Sequence, residues 1–241
     1  MANWSDPQYG GPAQATAGTR DVAFDAGLRS YMLSVYNYMA SGVLLTGIVA
    51  LLFASSGFAE QVLVTPLRWV IMLSPLAFVM VLSFGINRLS TGAAQALFWA
   101  FAVVMGLSMS SIFLVFTGTS IATTFFATAA AFVSLSLYGY TTKRDLSGFG
   151  TFLIMGVVGI IVALLFNLWL QSSALQLAIS AIGVLVFAGL TAYDTQRIKS
   201  MYAYVAGTDM IGKTVIMGAL SLYLDFVNMF TFLLQFLGGR E

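Results

Sequence analysis

Hydrophobic side chains run through this chain in long blocks, neither alternating along strands nor confined to one helix face. The blocks fall at 31–55, 66–87, 92–117, 119–141, 151–170, 174–195 and 214–238. Each is close to the ~20 residues that carry an α-helix across a ~30 Å hydrocarbon core. The cut between the third and fourth blocks rests on Thr117-Gly118-Thr119-Ser120. Without a turn there, 92–141 would form one helix of ~75 Å, too long for a single crossing. Residues 1–28 are rich in Gly, Pro, Gln, Asp and Ser and lack the apolar run of a signal peptide, so they read as a flexible tail ahead of a seven-helix domain at 29–241.

Composition supports the same class. Of 241 residues, 59% are hydrophobic and 8% are charged, against about 25% charged in soluble domains. The expected fold is an all-α membrane protein with seven transmembrane helices. The positive charges set its orientation. With the N-terminus inside, Arg20, Arg29, Arg88, Lys143, Arg144, Arg197, Lys199 and Lys213 fall on inner segments, and only Arg68 and Arg240 fall outside. That bias puts the N-terminus in the cytoplasm and the C-terminus outside an inner or plasma membrane. Trp69, Trp99, Tyr138, Tyr140 and Trp169 mostly sit near block ends, where amphipathic rings prefer to lie. Ala102, Gly106 and Ser110 form a stripe of small residues four apart, which reads as a helix-packing face.

The chain has no Cys and no His. That removes disulfides, the usual zinc sites, His-ligated haem, Ser-His-Asp triads and His proton relays. A net charge of +1 argues against a nucleic-acid partner. A retinal-type Schiff base needs a Lys inside a span, and there is none. Any pH response falls to carboxylates.

Ionisable groups are costly in the bilayer and ask for a reason. Asp225, in Leu220-Ser221-Leu222-Tyr223-Leu224-Asp225-Phe226-Val227-Asn228, lies twelve residues into its block, ~17 Å deep and near the midplane. It either glues helices as a protonated, hydrogen-bonded side chain or lines an ion or proton path. Asn228, three positions on, shares its face and is placed to hydrogen-bond it. Asp194, in Tyr193-Asp194-Thr195-Gln196-Arg197-Ile198, lies at the inner end of the sixth block, where Arg197 offers an ordinary surface partner. Arg88 ends the second block as a positive-inside anchor that can reach back toward a buried carboxylate. Lys143-Arg144-Asp145 reads as a solvated inner loop. Two aspartates would also suit an intramembrane aspartyl protease, but neither carries a Gly-Leu-Gly-Asp motif.

The pair of segments around Asp194 and Asp225, with Lys143-Arg144-Asp145-Leu146 and the seven spans, resembles the Bax inhibitor family in its bacterial form. The likeness covers roughly 29–238. It implies six helices around a central seventh and a pH-sensitive calcium leak, with no enzymatic activity and no resident cofactor. The family's proton-sharing aspartates carry over onto Asp194 and Asp225, the oxygens that would meet a passing calcium ion, and its latching arginine onto Arg88. An acidic residue that some members carry in the second helix has no counterpart in Met72-Leu73-Ser74-Pro75-Leu76-Ala77.

Physical chemistry supports such a pair. Two close carboxylates in low dielectric cannot both ionise cheaply, so they share a proton. Fully ionised, they attract a cation, and calcium prefers oxygen ligands. Protonation and Arg88 latching would then bias a closed state, and release would open the leak. The resemblance equally permits a non-transporting regulator that binds other membrane proteins, such as a membrane-embedded AAA protease. On the block boundaries above, Asp194 and Asp225 lie ~15 Å apart along the membrane normal. They meet only if the sixth helix continues to Tyr202 or the seventh starts after Thr214.

Overall fold

The computed structural model describes residues 13–239. Its helices are α1 (Ala13–Ser55), α2 (Phe58–Leu63), α3 (Leu67–Gly85), α4 (Thr91–Met109), α5 (Ile112–Val115), α6 (Gly118–Thr141), α7 (Ser147–Leu170), α8 (Ser173–Val205) and α9 (Ile211–Leu237). Among the described residues, seven stretches are long and apolar enough to cross a membrane, with α4 and α5 together making one of them. The protein is an all-α membrane protein.

The expected blocks are found, and their ends move. Residues 13–28 belong to α1, and the part of the tail reading that falls on residues 1–12 lies outside the described residues. The break at Thr117 is a helix start: the Thr117 hydroxyl accepts from the Ser120 amide at 3.2 Å and caps α6. The largest shift is at α8, which runs ten residues beyond the expected end at 195 to Val205. The gain is an unbroken backbone ladder past Gln196, Arg197 and Lys199, whose polar ends lie at or near the surface. Gly207, at φ 74°, then takes the left-handed conformation that reverses the chain into α9.

The last span is the centre of the bundle. In α9, 72% of the most apolar stretch is buried, against 11% in α3 and 17% in α7. It is packed by α8, α1, α6 and α4, while α3 rests on α4 and α7 on α8 as the outermost helices. Lipid tails are as apolar as leucine, so helices in a bilayer gain by close packing and buried hydrogen bonds. Both are present. The Ala102-Gly106-Ser110 stripe is buried, and a Cβ on Gly106 would meet Val49 Cβ at 2.7 Å and the Thr46 carbonyl at 2.8 Å, so this stripe is where α4 meets α1. At the same contact Thr46 donates its hydroxyl proton to the Ala102 carbonyl at 2.8 Å. The fully buried Tyr223 of α9 must therefore donate to Thr46 Oγ1, at 2.7 Å.

This chain of hydrogen bonds ties α9, α1 and α4 together inside rings of Phe98 and Phe101, 6.4 and 5.1 Å from Tyr223. Tyr223→Phe keeps the ring and removes one bond. It is expected to cost about 1 kcal/mol, measurable as a lower unfolding temperature in detergent, whereas Tyr204→Phe at the exposed end of α8 should change nothing.

At the opposite end of α9 the chain is tied down again. The Gly239 amide donates to Ser120 Oγ at 3.0 Å, and the Thr117 amide donates to the Gly239 carbonyl at 3.2 Å. The end of the central helix is thereby fixed on the start of α6.

Candidate functional site

The extension of α8 changes the relation of the two aspartates. Asp194 lies eleven residues before the end of α8 at Val205, and Asp225 fourteen residues after the start of α9 at Ile211. At 1.5 Å per residue these are ~16 and ~21 Å from the same connecting turn. Side-chain packing gives the same register. A Cβ on Gly218 of α9 would meet Ile198 at 3.1 Å, and a Cβ on Gly183 of α8 would meet the ring of Phe232 at 2.6 Å. In that antiparallel register Asp194 stands opposite residue 222 and Asp225 opposite residue 191, so about one helical turn separates them along the axis. They act on one another electrostatically. Of the two shifts that would bring the carboxylates closer, continuation of the sixth span is the one realised; the seventh begins earlier than expected.

Their surroundings differ. Asp225 is 4% exposed, and its Oδ2 is buried with no hydrogen-bond partner among the described residues. An unpaired carboxylate oxygen at such a place costs several kcal/mol if it carries charge. Asp194 is half-buried and lies within the electrostatic reach of Arg197, although the two form no ion pair. The wall on this side is made of hydroxyls. Thr191 donates to the Phe187 carbonyl at 2.8 Å and Thr195 to the Thr191 carbonyl at 2.7 Å. Ser136 of α6 must then donate to Thr195 Oγ1, at 3.2 Å. All three hydroxyl residues are buried. A close backbone approach makes this possible: Gly139 of α6 lies against the Ala192 carbonyl, where a Cβ would overlap it.

Two expected contacts are not made. Asn228 does not bond Asp225. Its amide donates instead to the Leu224 carbonyl at 2.8 Å, because a short amide in a helix reaches the carbonyl four residues back more easily than a side chain three back. Arg88 does not reach the pair. It sits exposed in the turn after α3, which ends at Gly85, and makes no ion pair among the described residues.

The basic end of the bundle is ordered by a residue that the sequence reading passed over. Gln196, two positions after Asp194, accepts from the Leu146 amide at 2.9 Å and donates to the Arg144 carbonyl at 2.7 Å. The Lys143-Arg144-Asp145 loop is exposed as expected but pinned to α8 through that amide. Within the loop, bonds from Ser147 hold the Asp145 carboxyl below the usual carboxylate range. The signal for Gln196 was its place beside Asp194 on a helix assumed to have ended. Among the described residues no three acidic side chains gather to form a metal cage. The pair could offer a cation only two carboxylates, with carbonyls, hydroxyls and water to complete its shell.

The family model described as inhibitor of apoptosis-promoting Bax1 matches residues 28–241. An uncharacterized protein of Rickettsia prowazekii is 48% identical over 228 residues, covering 94% of this chain and 96% of the relative. The inner membrane protein YbhL of Escherichia coli K12 is 49% identical over 220 residues, covering 90% and 94%. A protein of Caulobacter vibrioides is 45% identical over 233 residues, covering 92% and 93%.

Proposed function

We propose that this chain, which belongs to the Bax inhibitor family, is a pH-sensitive calcium leak of an inner membrane. The observation that carries the reading is the buried, unpartnered Oδ2 of Asp225, at the centre of the bundle and within electrostatic reach of Asp194. A bilayer protein does not keep such an oxygen for packing alone when leucine would fill the space more cheaply. Two carboxylates in low dielectric hold a proton between them or attract a cation. Protons, the Arg88 guanidinium and calcium therefore compete for the same oxygens. Protons and Arg88 favour the closed arrangement, and calcium favours the open one.

The burial of Asp225 inside the bundle corresponds to the closed side of that equilibrium. Opening requires α8 or α6 to draw back from α9. The exposed turn that holds Arg88 must swing inward for the arginine to latch. In this reading the basic end faces the cytoplasm, with the N-terminus inside and the C-terminus outside. The supporting likeness to an inner membrane protein is that of YbhL.

The test is calcium entry into proteoliposomes holding the purified protein. Entry above that of empty vesicles, falling as the medium is acidified, is the expected result, and no entry at any pH overturns the leak. Arg88→Gln should raise entry at a given pH by severalfold if the latch is real, and leave it unchanged otherwise.

A second reading has its own observation. At 43 residues, α1 is ~65 Å long, about twice the hydrocarbon thickness. Its first turns stand beyond the bilayer at the basic end and expose Val22 at 71%. A regulator that binds other membrane proteins, a membrane-embedded AAA protease among them, would present such a helix. Capture of a partner that is lost on deleting residues 13–24, with flux intact, would favour it.

A further inference from the structure

One side of the bundle is not closed. α1 packs on α4, α8 and α9, and α6 packs on α8 and α9, but α1 and α6 scarcely touch each other. The seam between them is hollow in both halves. Toward the basic end a cleft of ≈ 550 Å³ lies between Leu33 and Tyr36 of α1 and Val133 and Tyr140 of α6. Toward the opposite end a second hollow of ≈ 310 Å³ has Gly47 and Phe126 as its rims and Phe226 of α9 on its floor. Arg29, Leu33, Tyr36, Val43, Gly47 and Ala50 all line it from one face of α1. That face is ~32 Å long, the thickness of the hydrocarbon core. A mainly apolar groove open sideways to a bilayer is filled by an acyl chain, not by water.

The groove has one charged lining residue, and it stands at the mouth. Arg29 is exposed at the basic end of the larger cleft and makes no ion pair among the described residues, although Asp25 lies one turn earlier on the same helix. Across the cleft, Tyr140 is backed by a second cation. The Lys199 ammonium lies 4.7 Å from its ring centroid and donates to its carbonyl at 2.8 Å. Lys199 is therefore committed to α6, and Arg29 is free to meet a ligand. An apolar slot that ends at an unpaired guanidinium, level with the headgroups, is complementary to an anionic amphiphile.

We propose that the α1–α6 seam binds an anionic phospholipid from the leaflet at the basic end, with its acyl chain in the cleft and its phosphate on Arg29. The site is close to the carboxylates. Ser136 lines the cleft and donates to Thr195, the neighbour of Asp194, so the lipid would lie one side chain away from α8 at the pair. The inference does not depend on ion conduction.

The experiment is native mass spectrometry of the full chain released from vesicles of equal parts phosphatidylglycerol and phosphatidylcholine. The wild-type chain should retain phosphatidylglycerol about fivefold over phosphatidylcholine, the selectivity of one cation at a membrane surface. Arg29→Gln should retain the two alike. Arg68→Gln, whose guanidinium lies 5.1 Å from the Trp69 ring at the other end of the bundle, should keep the wild-type preference. Leu33→Trp, from an exposed position in the cleft wall, should fill the cleft and lose both lipids. Val133→Trp makes the same test from the facing wall should the first variant misfold. The proposal is overturned if Arg29→Gln keeps the preference, if Arg68→Gln removes it too, if the cleft-filling variants retain lipid, or if a second copy of the chain is held there in its place.

Discussion

Asparagine at position 225 is expected to flatten the pH dependence of calcium entry. The substitution keeps size and shape and removes the one carboxyl group of α9. In the wild-type protein, entry should fall about tenfold between about pH 8 and about pH 6, as protons take up the oxygens that a cation needs. In Asp225→Asn the same change should be less than about twofold, because a neutral amide neither gains a proton nor repels Asp194. Asp194→Asn should have the smaller effect, since Asp194 is half-buried and Arg197 already acts on it. If the two carboxylates work as a unit, the double variant should be no worse than Asp225→Asn alone, a departure from additivity that independent sites do not show. A pH profile unchanged in Asp225→Asn would rule out the pair as the sensor. Proteoliposome flux with a fluorescent calcium indicator gives all four profiles.

The largest loss of stability is expected from Gly139→Leu. A Cβ there meets the Ala192 carbonyl carbon at 2.9 Å and its Cα at 3.0 Å, with the carbonyl oxygen closer still. The neighbour is the backbone of another helix, which cannot rotate out of the way as a side chain can. α6 must therefore lift from α8, breaking the Ser136–Thr195 bond and opening the hydroxyl wall beside the aspartates. Overpacking of this kind costs about 3 kcal/mol, a drop of roughly 6–12 °C in unfolding temperature. Gly159→Ala in α7, where nothing lies within 4 Å, is the matching control and should leave stability unchanged. Helix propensity favours both replacements over glycine, so equal losses at both positions would mean that close approach does not set the cost.

These two variants also show what could be read from the chain. The spans were legible because a helix in lipid must bury every backbone polar group within itself, which leaves a run of apolar side chains of fixed length. Asp225 was legible for the same reason, as a charge-bearing group deep in such a run. Its relation to Asp194 was not. Hydropathy marks where the bilayer ends and not where the helix ends, and α8 crosses that border through Gln196, Arg197 and Lys199 without a break. Depths counted from the apolar boundary therefore placed the two carboxylates ~15 Å apart, whereas depths counted from the true turn at 206–210 place them within about a turn.

Gln196 was hidden by the same boundary. The Thr46–Tyr223 bond and the Ser136–Thr195 bond were hidden because each joins residues far apart in sequence, and a lone hydroxyl in an apolar run does not name its partner. Arg88 was legible as an end-of-span anchor, which is what its exposed position makes it in this conformation.

Order of synthesis gives the central position of α9 a further meaning. The helix that the other spans surround is the last of the seven to be made, so α1 through α8 enter the membrane around a place that is still empty. Until α9 arrives, Thr46 lacks the Tyr223 hydroxyl and the groove of Gly183 lacks the Phe232 ring. Asp225 stands across from α8 and Asp194 only once α9 is in place. A chain made only as far as α8 thus carries Asp194 without Asp225.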